Sequence, residues 1–468
     1  MRSFSRAGFA LLVILSACTL GGARPDPPLP SSPAANTDPP APTRLDDPAR
    51  WKAQGSLVGI HDGRAYVANG GRLVAFELAC RSGCEPVWRT SVEAWPTDLA
   101  FAGDRVFVPA GEHGIAVTPM ECDEIRCRPT FHIRFDALDP TSHFDNLRKV
   151  PPSLFRLKVV GSILYVIAEL DLADTTGIQP GRVMAFDVGC TPCRPLWRSP
   201  LGSGLLDEPT VHEDAIYVPA SSGLSVFSVG CRSDGGTCSP LWTAPMNTAA
   251  HFMLMTRPRF SGDLVVELTQ GYNGGGDADL PQIAAFLTDC RRDGGRCDPV
   301  WWYEIGRERF ASGPVIFEGE AFVTTGGWNL HGMTFAFPLD CTGRCTPSRI
   351  FQAPGEFFRG PVIIRERLVI GAYRRGSISY FDVTCERDPC LPGDSWHAPW
   401  HVTDVAAISG GVVASSGRHL LVFRPPGRGS WEPRWRWAAS RPIEDVRVVG
   451  EVALASTHTS VYAITLPN

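Results

Sequence analysis

The sequence lacks the features of several large classes of protein. No stretch of about 10–15 residues alternates with strands and carries apolar side chains at helical spacing, which argues against a parallel sheet covered by helices. Basic residues are also scarce. There are 44 Lys and Arg against 49 Asp and Glu, a formal net charge of −5, and the only lysines are Lys52, Lys149 and Lys158. Such a chain does not create the positive field of a nucleic-acid-binding protein, and we predict no nucleic acid as a partner.

The sequence also lacks the short motifs of common enzymes. It contains no Gly-x-Ser-x-Gly, no His-Glu-x-x-His and no phosphate-binding loop. We therefore predict that the protein is not an enzyme. A pair of carboxylates for glycoside hydrolysis stays open as an alternative, because two such residues can be far apart in the sequence.

The N-terminal residues have the pattern of an export signal. Arg2 and Arg6 precede an apolar run at 7–15, which is too short to cross a bilayer as a helix. The next residues, Leu-Ser-Ala-Cys at 15–18, resemble the lipobox of bacterial lipoproteins, in which the cysteine is diacylated and becomes the new N-terminus. This predicts lipidation at Cys18. The alternative is an ordinary signal peptide with an incidental cysteine.

Composition divides the chain into three predicted segments. Residues 1–18 are the signal peptide, and 19–48 are a disordered tether rich in Pro, Ser, Ala and Asp. Residues 49–468 form a single domain.

From residue 57 onward the chain repeats one pattern of four short strands. The unit at 57–92 has two strands that end at the turns Asp62-Gly63 and Gly70-Gly71, a third strand, a cysteine turn, and a fourth strand carrying Trp88. Alternating β-branched and aromatic residues between such turns are typical of antiparallel strands. Further units start near Asp98, Arg156, Glu208, Met255, Gly313, Gly360, Val402 and Ile443.

These nine units predict an all-β chain folded as a β-propeller of four-stranded antiparallel blades. One such sheet cannot cover both its faces alone, whereas radial stacking covers each sheet with its neighbours and leaves no long edge exposed. The ninth unit ends after its third strand, and residues 49–53 with Trp51 resemble the missing fourth strand. We expect the N- and C-terminal strands to share a sheet and close the ring.

Fourteen cysteines follow Cys18, and they lie in pairs between the third and fourth strands of the first seven units. The even count, the local spacing and the export signal predict disulfides. The C-x-x-C at 190–193 is also a zinc-ligand spacing, but structural zinc needs four converging ligands. The predicted pairs are Cys80 with Cys84, Cys122 with Cys127, Cys190 with Cys193, Cys231 with Cys238, Cys290 with Cys297, Cys341 with Cys345, and Cys385 with Cys390.

The units resemble the quinoprotein-type (PQQ-like) propeller repeat, as in the strand at 164–167, the Ala-Phe-Asp at 185–187 and Trp197. The repeat occurs in PQQ-dependent dehydrogenases and in the outer-membrane assembly lipoprotein of Gram-negative bacteria. The resemblance implies eight blades as an alternative to nine. The dehydrogenases have two adjacent cysteines that this chain lacks, and their catalytic Asp and calcium ligands cannot be assigned here. We therefore predict no cofactor, with PQQ or calcium as the alternative.

Five long segments are predicted to lie on one face of the propeller, namely 136–153, 169–181, 244–255, 269–281 and 325–332. Loops on a rigid scaffold are the usual place for binding. Carboxylates beside glycines give weak candidates for a calcium site, although solvated acidic loops look the same: Asp171, Asp174, Asp277 and Asp279. The candidate ligand-binding residues of this face are His143, His251, Asn273, Trp328 and His331.

Together these features predict an exported, monomeric propeller that is held to the membrane through its lipid anchor alone. We expect it at the outer face of the cytoplasmic membrane, or at the outer membrane if the cell has one. The predicted function is a binding or scaffold module for a protein or peptide, with a cell-wall or extracellular glycan as the next choice. The alternative is a PQQ- or metal-dependent oxidoreductase or another propeller enzyme.

Overall fold

The computed structural model describes residues 48–467 except 93, 123–124, 135–153, 170–179, 201, 204–208, 221–222, 246–253, 271–280, 291–292, 307–309, 327–331, 354–359, 374–375 and 425–430. The predicted signal peptide, Cys18 and nearly all of the predicted tether lie outside this part of the chain. Within it, every element is a strand apart from the 3₁₀ turn Gly111–His113. No helix in these ranges has the length and apolar character needed to span a bilayer.

The strands form nine sheets, each with four antiparallel strands in its main path, and we number these sheets as blades in chain order. Blades 1 to 3 consist of Ser56–His61, Arg64–Asn69, Arg72–Glu77 and Trp88–Ser91; Ala100–Ala102, Arg105–Pro109, Ile115–Pro119 and Phe131–Ile133; and Leu154–Val160, Ile163–Glu169, Pro180–Asp187 and Pro195–Arg198. Blades 4 to 6 consist of Thr210–His212, Ala215–Ala220, Gly223–Ser228 and Trp242–Ala244; Leu254–Met255 with Arg259–Ser261, Leu264–Gln270, Gln282–Leu287 and Trp301–Glu304; and Phe310–Phe317, Glu320–Gly326, Gly332–Pro338 and Arg349–Ala353. Blades 7 to 9 consist of Val362–Ile364, Arg367–Ala372, Ser377–Asp382 and Asp394–His397; Val402–Ile408, Gly411–Ser416, His419–Phe423 and Trp435–Ala438; and Ile443–Val449, Val452–Thr457, Ser460–Thr465 and Ala49–Gln54. Three two-residue strands are added to the sheets of blades 1, 3 and 5, namely Arg126–Cys127, Gly202–Ser203 and Gly343–Arg344.

The chain is therefore a nine-bladed β-propeller, and the eight blades implied by the family resemblance are wrong. The predicted ring closure is confirmed. Ala49–Gln54 pairs antiparallel with Ser460–Thr465, and Trp51 lies opposite Ala463. The N-terminal strand thus completes the blade that the C-terminal strands begin.

Apolar packing between consecutive blades forms the core. The second strand of blade 1 shows the reason, because Tyr66 and Val67 point to opposite faces of the sheet and both are buried. The fourth-strand tryptophans cross from one blade to the next: Trp197 of blade 3 stacks on Phe227 of blade 4 with the ring centroids 5.9 Å apart. Trp88 of blade 1 also donates its indole N–H to the Pro119 carbonyl of blade 2, at 2.9 Å. Each blade thus depends on its neighbour for burial.

Carboxylates join the first strands of two pairs of neighbouring blades. Asp404 of blade 8 accepts the backbone N–H of Val405 at 2.9 Å and that of Val446, in blade 9, at 2.8 Å. Asp98, next to blade 2, accepts from Leu99 and from Leu157 of blade 3 in the same way. One side chain satisfies backbone donors on two blades at once.

All seven predicted disulfides are confirmed. The structure adds a function that the sequence did not indicate, because several of these turns pair with the outer strand of the preceding blade. The N–H of Cys238 in blade 4 donates to the Arg198 carbonyl in blade 3 at 2.7 Å, and Cys297 donates to Thr243 at the same distance. The same bond recurs at the next two seams, where the N–H of Cys345 donates to the Trp302 carbonyl and the N–H of Cys390 donates to the Ile350 carbonyl. The bridges therefore hold turns that connect blades.

Antiparallel pairing sorts the connections onto two faces. The turns between first and second strands and between third and fourth strands lie on one face, which we call the cysteine face. The connections between second and third strands and between consecutive blades lie on the other, which we call the loop face. The strands that flank the five predicted long segments end at the loop face.

Removal of the bridge in blade 4 should loosen the seam to blade 3. In the double variant Cys231→Ala, Cys238→Ala we expect a loss of about 2 kcal/mol or less. Hydrogen exchange should then speed up by as much as about thirtyfold at the amides of residues 198 and 238, which bond across that seam. The amide of Cys345, at the seam between blades 5 and 6, is the internal control and should keep its protection. Faster exchange inside the 229–241 hairpin, with residue 198 unchanged, would show that the bridge stabilises its hairpin alone.

Candidate functional site

The residues predicted from the sequence as site candidates fall outside the described part of the chain. This holds for the carboxylates Asp171, Asp174, Asp277 and Asp279 and for the loop residues His143, His251, Asn273, Trp328 and His331. Their roles stay predictions. Within the described ranges, no group of three or more His, Cys, Asp or Glu side chains is placed to hold a metal ion.

The described residues nevertheless distinguish the two faces. Among them, three large aromatic residues are exposed, Trp95 at 57%, Tyr373 at 37% and Trp400 at 49%, and all three belong to connections of the loop face. The exposed large aliphatic side chains all lie at the cysteine face: Val87, Ile125, Leu287, Leu391 and Val449. Scattered aliphatic residues are ordinary on protein surfaces, whereas exposed tryptophan and tyrosine are enriched at interfaces.

Two of the exposed rings form a cluster with histidines at blades 7 and 8, which we call the aromatic patch (Tyr373, Trp400, His401, Arg418 and His419). The Tyr373 ring stacks on His401 with the centroids 4.6 Å apart and an interplanar angle of 13°. The Trp400 ring stacks on His419 at 4.4 Å and 20°. Nδ1 of His401 also contacts the Tyr373 carbonyl oxygen at 2.7 Å. The patch therefore presents two flat rings, each supported by an imidazole.

Two glycines allow the connection between blades 7 and 8 to lie this close to the neighbouring turns. A Cβ at Gly376 would be 2.2 Å from the Trp400 carbonyl oxygen, and one at Gly417 would be 2.9 Å from the Trp400 side chain. Both glycines also have positive φ, which other residues adopt only with strain. Ser416 Oγ donates to the Trp400 carbonyl and the Gly417 N–H donates to the His401 carbonyl, both at 3.0 Å. The backbone thus holds Trp400 in place while its ring stays exposed.

The positive charge of the patch comes from arginine and not from His419. Burial lowers the pKa of His419 from its ordinary value of 6.5, and the nearby guanidinium groups of Arg418 and Arg436 lower it further. Arg418 is itself exposed. The described loop-face residues of blades 7 and 8 include no Asp or Glu. The nearby Asp404 lies within the first strand of blade 8, where its carboxylate accepts the backbone N–H groups of Val405 and Val446.

A polar cavity of 330 Å³ opens on the cysteine face between blades 6 and 7. Glu320 and Arg349 form an ion pair at its wall, and Ser348 Oγ donates to Glu320 Oε1 at 2.6 Å. Burial lowers the pKa of Arg349. Because the pair joins the second and fourth strands of one blade and neutralises both charges, we assign it a structural role.

Sequence reasoning missed the aromatic patch. Its members are far apart in the chain, and the search for long loops passed over the short connection Pro399-Trp400-His401. The available signal was a tryptophan between two strands, flanked by turns that each contain a glycine.

Removal of the Trp400 ring should raise the pKa of His419 toward 6.5. The ring covers one face of the imidazole, and Trp400→Ala exposes it to water, which stabilises the protonated form. An NMR titration of the His419 ring protons measures the shift, and Trp95→Ala is the matched control, since Trp95 lies in the connection between blades 1 and 2. An unchanged or lower His419 pKa in Trp400→Ala would contradict burial as the main cause.

Comparison with known proteins finds similar solved structures and no related sequence family. No protein-family model and no curated protein matches the chain. Similar solved structures include the computationally designed protein Ika8, with a TM-score of 0.50 and 9% identity over 89% of this chain and 98% of that one. They also include Sqt1 of Saccharomyces cerevisiae, with a TM-score of 0.48 and 8% identity over 90% and 96%. At this identity the likeness to Ika8 concerns the fold alone.

Proposed function

We propose that the protein is an exported binding module, anchored by lipid at Cys18, which captures a protein or peptide partner on its loop face. The observation that carries the proposal is the separation of exposed aromatic and aliphatic side chains among the described residues. Trp95, Tyr373 and Trp400 all lie on the loop face. Tryptophan and tyrosine supply large contact areas with few rotatable bonds and dominate the energy of many interfaces.

The point of attachment of the N-terminal chain supports this arrangement. The closing strand Ala49–Gln54 begins at the cysteine face, where the Thr465 N–H donates to the Pro48 carbonyl at 3.0 Å. The polypeptide toward Cys18 is therefore joined to the propeller at the cysteine face, opposite Trp95 and Trp400. The loop face therefore lies away from this point of attachment, which favours it as the face for a partner.

The resemblance of the repeat to outer-membrane assembly lipoproteins agrees with a module that assembles with other proteins. The propeller fold itself is compatible with many functions. The proposal therefore rests on the surface of this chain and on its export signal, and it includes no cofactor and no enzymatic step.

Replacement of the lipidated residue should release the protein from the membrane. Cys18→Ser removes the thiol that carries the acyl chains, and two such chains are what stable anchoring requires. We expect the variant to leave the membrane fraction after carbonate extraction of fractionated cells. Ser16→Ala keeps Cys18 and serves as the control. Full retention of Cys18→Ser in the membrane would contradict the lipid anchor.

The binding face can be tested in intact cells with a photo-crosslinking amino acid. We expect adducts with a partner protein when the crosslinker replaces Trp95, Tyr373 or Trp400. Matched cysteine-face controls at Ile125, Leu287 and Leu391 are as exposed and should give none. Adducts from the cysteine-face positions alone would invert the assignment of faces, and their absence from all six positions would contradict the proposed function.

A further inference from the structure

The aromatic patch has a chemistry of its own within the loop face. The whole chain has a formal net charge of −5, yet the described loop-face residues of blades 7 and 8 include the exposed guanidinium of Arg418 and no carboxylate. A guanidinium group beside open aromatic rings attracts a ligand that carries negative charge next to an apolar or flat group.

The location of the patch limits the shape of that ligand. Tyr373 follows the second strand of blade 7, Trp400 lies between blades 7 and 8, and Arg418 lies in the turn after the second strand of blade 8. These three connections follow one another along the loop face. A ligand that contacts all of them has to run across two blades, which suits an extended chain better than a compact small molecule.

The patch is also held ready for binding. Ser416 and Gly417 bond to the backbone of residues 400 and 401, and both exposed rings are stacked on imidazoles. Little side-chain freedom is left to lose when a ligand arrives, and this is the condition under which an exposed aromatic residue contributes most to affinity.

We infer that the aromatic patch binds an extended peptide segment in which Asp or Glu residues alternate with proline or aromatic residues. The apolar residues of the peptide pack on the rings of Tyr373 and Trp400, and its carboxylates accept hydrogen bonds from the Arg418 guanidinium. This inference rests on the proposed function and specifies the chemistry of its partner.

The test uses the mature full-length protein and a synthetic array of dodecapeptides in which Trp or Pro alternates with Asp, Ala or Lys. We expect the Asp peptides to bind and the Lys peptides not to bind. Trp400→Ala should weaken binding of the Asp peptides at least tenfold, because the ring is a rigid contact surface. Arg418→Glu should weaken it at least tenfold and should also create binding of the Lys peptides, a gain that damage to the fold would not produce.

Leu391→Ala is the matched control, since Leu391 is exposed at 62% on the cysteine face, and it should leave peptide binding unchanged. Thermal melting of each variant checks the fold. The inference is overturned if no Asp peptide binds, if Lys peptides bind the unmodified protein equally well, or if Arg418→Glu binds the same peptides as before. Trp400-dependent binding of a glycan array, without peptide binding, would overturn it in favour of a carbohydrate site. If one of these results is obtained and a partner protein is still crosslinked from position 95, this inference fails and the proposed function is retained.

Discussion

The fold depends on one constraint: every blade has two apolar faces, and each face is buried only when another blade packs against it. Tyr66 and Val67 of blade 1 are buried on opposite faces of the same strand, and the other blades repeat this pattern. An open row of such sheets would leave an apolar face exposed at each end. The ring removes both ends, and the strand Ala49–Gln54 completes it by filling the one blade that the C-terminal residues leave short of a strand. Loss of a fully buried tryptophan at such a seam costs about 3–5 kcal/mol in comparable cores.

Closure of the ring also explains why the two faces differ. On the cysteine face, short bridged turns reach the preceding blade and satisfy backbone groups of its outer strand, as Cys238 does for Arg198. The turns of that face therefore help to hold neighbouring blades together. On the loop face some connections also join blades, as Asp98 does, but residues such as Trp400 are exposed while the backbone under them is held in place. A rigid frame that leaves side chains exposed is a suitable base for binding.

Much of the fold could be predicted because its signals are local. Alternation of apolar residues gave the strands, and the repeat gave the nine blades. The spacing of cysteines such as Cys231 and Cys238 gave the bridges, since partners within one turn need no tertiary information. The seam bonds could not be predicted, because Cys238 and Arg198 are in different repeats and no pattern within either repeat refers to the other. The aromatic patch was missed for the same reason, and the loop residues that were predicted instead, such as Trp328, lie outside the described residues.

The sequence by itself determined the strand order, the count of nine repeat units, the disulfide pairs and the closing role of residues 49–54, because each is set by residues close together in the chain or by the repeat itself. The choice between nine blades and eight needed the structure. The tertiary structure alone decided which side chains share a surface. Tyr373, Trp400 and His419 come together because antiparallel blades bring every second connection to one face and the ring places blade 7 beside blade 8. Exposure is likewise a property of the packed molecule. Trp88 and Trp400 are the same residue type, and only the presence of a neighbouring blade over Trp88 makes one a core residue and the other part of a surface.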